Sequence, residues 1–409
     1  MPRRNLVILV AVGIISLMCY QKVHRNQYGQ IFVEVMDQIE QRSLEPVGQE
    51  DLFLGAMEGM VGRLHDPHSM FFSPRASEEF NEDLDQEFGG VGMQVGYDKD
   101  TNQLAVMSPL VGSPAFEAGV LAGDKILRID GKSTQGLSLA DAVGHMRGKP
   151  GEPVVISVLH EGDDQPVDIE IIREIIELDT VLGDTREADG SWNFFLEGHD
   201  RIGYLRITSF AKRTPDEMDR ALQWLVDRDM QGLILDFRDN PGGLLTAAIA
   251  MCDRFIKSGT IVTTRRRDGQ ISRRAAASAQ DTLADFPMAV LVNQLSASAS
   301  EIVSACLQDH GRAVVVGQRS WGKGTVQEVI ELPDNQGMLK LTTASFWRPS
   351  EKNIHRKKDA TDKDDWGVSP NDGYEVVVED DELVRLRMWR SRRDAFQPDG
   401  NGDEPEPFV

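Results

Sequence analysis

MAVLVNQLSASASEIVSACLQDHGRAVVVGQRSWGKGTVQ, residues 288–327, holds an apolar run, three serines spaced by alanine, an amphipathic stretch, a second apolar run and a lysine between glycines. MAVLVN reads as a buried strand, since its apolar run is short and turn residues follow it. QLSA is its exit loop, and SASEIVSACLQD is a helix that stops before Gly311. RAVVVGQ then returns as a strand. Strand, helix and strand in this order form a βα unit of a largely parallel sheet. The serines and Lys323 therefore share the carboxyl edge of that sheet, where open α/β sheets bind their substrates.

Ser296, Ser298 and Ser300 lie where strand turns into helix. The alanines between them keep bulk out of the turn, and a helix N-terminus offers unpaired N–H groups and a positive dipole end to developing negative charge. The residues alone leave two readings open. One serine is a nucleophile, or the serines only cap the helix, with Glu301 completing a capping box. Lys323 adds a candidate base. Lowering a lysine from about 10.4 to near 7 by burial costs roughly 4–5 kcal/mol, and flanking glycines with Trp321 suit a close, partly apolar fit. Gln327 follows at i+4, on nearly the same face whether the segment is extended or helical. A third element, LILDFRDNPGGLL at residues 233–245, is again strand, tight turn and helix. Its Asn240-Pro241-Gly242-Gly243 turn frees backbone N–H groups, as an oxyanion hole requires.

Outward from this edge the chain of 409 residues is long enough for more than one folding unit. A net charge of −22 excludes nucleic acid as the expected partner. Three cysteines without paired spacing give neither a disulfide framework nor a zinc site, and the histidines include no H-E-x-x-H. No metal and no cofactor is expected. Residues 1–26 open with two arginines, Arg3 and Arg4, followed by an uncharged run from Leu6 to Tyr20 without a small-x-small cleavage site. That reads as an uncleaved membrane anchor or signal segment, with the remainder of the chain outside the cytoplasm. Residues 27–87 have helical periodicity and close on NEDLDQE, read as a solvated acidic connector. Residues 88–175 break into short β-like runs with one helix at SLADAVGHMRG, and residues 176–380 alternate strands and helices. Residues 381–409 add a helix and an acidic tail expected to be disordered. Five arginines, Arg265, Arg266, Arg267, Arg273 and Arg274, flank the hairpin signal Asp268-Gly269 and read as a solvated ribbon.

NQLSASASEIVSACLQD, SWGKGTVQ, LDFRDNPGGLL, LGAMEGMVGRLHDPHSMFF and LTTASFWRPS together resemble the C-terminal processing peptidases, also called tail-specific proteases. The resemblance implies an α/β fold with a crotonase-like/Clp-protease-like core, an N-terminal helical segment and an inserted PDZ domain. It implies Ser298 as nucleophile, Lys323 as base and Gln327 as the third catalytic member. The oxyanion donors it implies are the amide of Ala299 and one from Gly242 or Gly243, with Gly243 preferred. Gly90-Val91-Gly92-Met93 resembles the carboxylate-binding loop of PDZ domains, and SPAFEAGVLAGDKILRIDG resembles the PDZ segment that follows. Arg147 is a further candidate for coupling that module to the core. Phe346-Trp347-Arg348 stands where Tyr-Tyr-Thr is usual, so subsite preferences do not transfer. The expected function is an extracytoplasmic serine endopeptidase acting on proteins or peptides with apolar C-termini, anchored in a membrane, with a homo-oligomer or adaptor possible. The rival is a PDZ scaffold on an inactive core, disfavoured by the presence of all three of Ser298, Lys323 and Gln327. Acyl-thioester chemistry would need a CoA-binding feature that the sequence does not display.

Overall fold

The computed structural model describes residues 5, 12–16, 27–98, 101–280, 282–283, 285–361 and 363–394. The chain divides into two compact units, Met1–Ala76 with Gln327–Thr342, and Ser77–Val326 with Thr343–Val409. Most of the expected anchor and the acidic tail from residue 395 onward lie outside the described residues. Among the described residues no helix is long and apolar enough to cross a membrane.

In the first unit, α1 (Gln27–Arg42) and α2 (Gln49–Gly62) precede the short strand β1 (Met70–Phe72). β1 pairs antiparallel with residues 338–340, and the Phe53 and Phe71 rings meet edge to face at 6.2 Å. Such an aromatic pair ties helix to strand beyond its buried area alone.

The second unit begins within α3 (Pro74–Asp85), and here the structure corrects the sequence. The acidic run NEDLDQE is not a connector, because its residues 81–85 form the last turns of α3. Their carboxylates are used. Glu82 pairs with Arg147 at 3.3 Å and Asp85 with Lys212 at 2.7 Å. Next come β2 (Glu87–Gly90), β3 (Met93–Tyr97), β4 (Leu104–Pro109), α4 (Pro114–Glu117), β5 (Lys125–Ile129), α5 (Leu139–Met146), β6 (Pro153–Leu159) and β7 (Val167–Ile172). Strands β3 to β7 form an antiparallel sheet in chain order, and β8 (Glu174–Glu177) pairs back on β2. Alternation along β6 buries Val154, Ile156 and Val158 against Ile126, Ile129, Ala142 and Met146. Each such side chain contributes about 1.5–3 kcal/mol by leaving water.

Beyond it run β9 (His199–Ile207), α6 (Thr214–Val226), β10 (Gly232–Asp236), α7 (Leu245–Asp253), β11 (Thr260–Arg266), β12 (Ile271–Ala276), β13 (Met288–Val292), α8 (Ala299–Asp309) and β14 (Val314–Gly317). Strands β9, β10, β13 and β14 are parallel and lie side by side in chain order. Right-handed crossovers that always advance in one direction place their helices on one face of the sheet. α7 accordingly packs against both α6 and α8. α8 is the most enclosed of them, with every residue from Ala299 to Leu307 buried. The chain continues through β15 (Thr325–Glu331) and β16 (Met338–Trp347), whose residues 344–347 pair with β11, and ends in α9 (Asp380–Asp394). β11 and β12 form the arginine-flanked hairpin read from the sequence, with Gly269 at φ +80° in its turn.

Candidate active site

Three chain segments leave the carboxyl edge of the parallel sheet and meet. The first runs from β13 into α8. Ser296 Oγ donates to Phe237 O at 2.8 Å and accepts from Asn293 N–H, while Ser300 Oγ donates to Asn240 O at 3.0 Å. These two hydroxyls therefore fasten this turn to the one that follows β10. Ser298 differs from both. It has φ 56° and ψ −111°, and it stays 8 % exposed where Ser296 and Ser300 are fully buried. A non-glycine residue at positive φ costs of order 1–3 kcal/mol and persists only where its surroundings enforce it.

The second segment is Asn240-Pro241-Gly242-Gly243. Asn240 shapes it from inside, donating through Nδ2 to Ile207 O at 2.7 Å and accepting the Gly242 N–H at 2.8 Å. The Gly242 amide is thus committed within its own turn. A Cβ at Gly242 would lie 2.8 Å from Ser298 Cβ and 3.0 Å from Ala299 N, and one at Gly243 would lie 2.3 Å from Phe210 O. With φ of +105° and +143°, both positions require glycine.

The third segment, Ser320 to Gly324, carries Lys323. Glu301 joins it to the first. One carboxylate oxygen of Glu301 accepts Ser298 N–H and Lys323 N–H, each at 2.8 Å, and the other accepts Ser320 Oγ at 2.5 Å and Gly322 N–H at 2.6 Å. Glu301 is fully buried, and burial pushes its carboxyl above the ordinary range against the pull of those hydrogen bonds. A buried carboxylate is tolerable when its lone pairs are filled, and here four donors fill them. Trp321, expected to cover the lysine, is 53 % exposed instead. The close fit comes from the glycines: a Cβ at Gly322 would meet Arg356 and Trp366, and one at Gly324 would meet His355 N at 2.2 Å. Lys323 itself is half-buried.

Gln327 belongs to the first unit, on β15, where its side chain donates to Thr342 Oγ1 at 3.1 Å. In the antiparallel module, the segment Gly90 to Met93 bridges β2 and β3. Val91 O accepts Ala115 N–H, and Gly92 O accepts both Leu110 N–H and Ser113 Oγ. Gly92, at φ +76°, has no room for a Cβ, which would stand 2.3 Å from Ser113 Cβ. Arg147 caps α5 and lies over the Phe88 ring at 4.4 Å, paired with Glu82. Among the described residues no cluster of metal ligands exists. Sequence reasoning saw Glu301 only as a cap, and it missed Asp239 and Asn293. Asp239 N–H donates to Asn293 Oδ1 at 3.0 Å and Asn293 Nδ2 to Asp239 Oδ1 at 3.1 Å, a reciprocal pair between the first two segments.

Comparison with known proteins agrees with this architecture. Residues 201–371 match peptidase family S41, and residues 89–171 match the PDZ domain. The carboxy-terminal-processing protease of Bartonella bacilliformis is 38 % identical over 336 residues, which cover 81 % of this chain and 74 % of that protein. The carboxyl-terminal-processing protease of a Synechocystis strain is 36 % identical over 304 residues, covering 74 % and 68 %. A putative S41 protease from Bacteroides fragilis, 17 % identical, shares the fold with a TM-score of 0.52 over 90 % of this chain and 94 % of its own. The chain belongs to peptidase family S41, as a carboxyl-terminal-processing protease of the serine type that carries a PDZ domain ahead of its α/β protease region.

Proposed function

We propose that this protease cleaves near the C-terminal tails of protein substrates with Ser298 as nucleophile, Lys323 as general base and Gln327 as the residue that orients the lysine. The observation that carries the proposal is the Glu301 carboxylate, one oxygen of which binds the amides of both Ser298 and Lys323. In the proposed reaction Ser298 Oγ attacks the scissile carbonyl carbon as its proton passes to Lys323 Nζ. The oxyanion is stabilised by the amides of Ala299 and Gly243. Gly243 is the better donor of the two glycines because the Gly242 N–H is already bound to Asn240 Oδ1. Collapse breaks the C–N bond, the lysine proton leaves with the amine, and water then attacks the acyl-serine with Lys323 again taking the proton. The positive φ of Ser298 supports this assignment, since strained backbone concentrates at reacting residues.

Apolar substrate C-termini would enter at Gly90-Val91-Gly92-Met93, the recognition mode in which backbone amides hold a terminal carboxylate and a strand pairs with the peptide. Arg147, beside that loop through the Gly148 N–H bond to Gly89 O, would couple tail binding to the protease region. The chain-order parallel sheet supports a crotonase-like/Clp-protease-like core. The uncharged run at residues 6–20 supports an anchored, extracytoplasmic enzyme, with a homo-oligomer or adaptor as possible regulator; N-terminal sequencing that found a start in the mid-twenties would show a cleaved signal instead.

The experiment is incubation of purified protein with model proteins ending in apolar or charged tails, with mass spectrometry of the products. Cuts should require an apolar tail with a free terminal carboxylate. Equal cleavage of amidated or charged tails would contradict PDZ-directed recognition. Gly242→Ala should lower kcat by on the order of a hundredfold, since its Cβ would displace the Ser298 side chain. An unchanged kcat in that variant would show that the two turns need not stay in close contact.

A further inference from the structure

α9 buries no residue fully, yet polar contacts along its length hold it. Arg390 pairs with Asp184 and donates to Tyr204 Oη, both at 2.8 Å. Arg393 pairs with Asp184 at 3.2 Å and Glu197 at 2.7 Å, and Arg206 reaches Asp394 at 2.5 Å. Arg387 grips both oxygens of Asp239, at 2.7 and 3.3 Å. The segment leading into the helix is fixed as well, with Gly317 N–H donating to Tyr374 O and Val376 N–H to Gly317 O. A cavity of about 110 Å³ separates Leu383 and Leu386 of α9 from Leu291, Val292 and Val316 at the ends of β13 and β14. The helix thus lies across the carboxyl edge from which all three active-site segments depart.

One of these contacts differs from the others in what it touches. Asp239 opens the Asn-Pro-Gly-Gly turn at φ 61°, and its carboxylate is the acceptor for Asn293, which opens the serine turn. Tyr204 donates to Asp236 at the end of β10 at 2.6 Å, but among these contacts only Arg387 binds a residue that itself bonds the serine turn. We propose that Arg387 is a positioning residue for catalysis: it fixes the Asp239 carboxylate so that the reciprocal Asp239–Asn293 pair holds the oxyanion turn and the serine turn in register. The inference rests on the Ser298 and Lys323 reading. Because Arg387 and Asp239 are 46 % and 36 % exposed, the pair is open to screening, and register becomes sensitive to ionic strength.

The test is a double-mutant cycle on the full chain, Arg387→Ala and Asp239→Asn singly and together, with kcat and KM measured at low and high salt. Hydrogen exchange is followed in the peptides covering 238–244 and 293–299. Arg387→Ala should lower kcat on the order of ten- to a hundredfold with little change in KM. It should speed exchange in both peptides, and it should have no further effect in the Asp239→Asn background. Arg387→Lys should restore part of kcat, and the wild type should lose activity with salt while Arg387→Ala does not. Unchanged kcat and exchange in Arg387→Ala, or additive losses in the double variant, would overturn the inference. Faster exchange in Arg387→Ala than in a wild type that itself cleaves nothing would overturn the catalytic reading and leave the coupling of the two turns standing.

Discussion

Ser298→Ala and Lys323→Ala are each expected to lower the cleavage rate by about four to six orders of magnitude while the melting temperature stays near that of the wild type. The double variant should be no slower than either single one, because nucleophile and base act in one proton-transfer step and removing either removes the step. Ser296→Ala and Ser300→Ala should behave in the opposite way. Their hydroxyls donate to Phe237 O and Asn240 O, so their loss should cost about 1 kcal/mol of stability each and only a modest part of the rate. Lys323→Arg should be inactive, since a guanidinium cannot give up its proton. Rates on a tailed substrate, together with thermal melts, separate these outcomes. Appreciable turnover by Lys323→Arg would remove the lysine as base.

Glu301→Gln should have the second-largest effect. Four donors converge on the Glu301 carboxylate, and an amide turns its own N–H groups toward two of them. Leaving two buried donors unmatched costs about 2–6 kcal/mol, and the displaced serine and lysine turns should lower kcat at least on the order of a hundredfold. The pH dependence of stability gives an independent reading. Burial raises Glu301 above 4.5, so between 4.5 and its folded value the native chain holds more protons than the unfolded chain. Its contribution to stability therefore falls as pH rises through that interval. Thermal melts of wild type against Glu301→Gln should show this decline in the wild type only; equal slopes would mean that the carboxylate does not titrate as its burial requires.

The βα units were legible because each strand is a short apolar run closed by a turn, and the residues at their carboxyl ends follow from the parallel order alone. The Asn-Pro-Gly-Gly turn announced itself by composition, and its tightness against Ser298 is what the two glycines permit. Other features leave no local trace. The window NEDLDQE holds one apolar residue, Leu84, and the Ala76 and Phe80 that share its helix face lie before it, so periodicity within the acidic run could not separate helix from linker. Trp321 suggested an apolar cover by its residue type, but its backbone N–H is bound to Ser296 O and its ring faces solvent. The tie from Arg387 to Asp239 spans 148 residues, and nothing local at either position selects the other. Glu301 was visible as a capping acid; its bonds to a loop 19 to 22 residues away required the fold.

The central claim is that Ser298 becomes acylated. It is tested most directly by mixing the wild-type protein with an activated ester of a preferred cleavage sequence, quenching in acid and mapping the adduct by peptide mass spectrometry. The account predicts one acyl group per chain, on Ser298, and none in the Ser298→Ala variant. An acyl group on Ser296, Ser300 or any other residue, or steady turnover of the ester by Ser298→Ala, would contradict it.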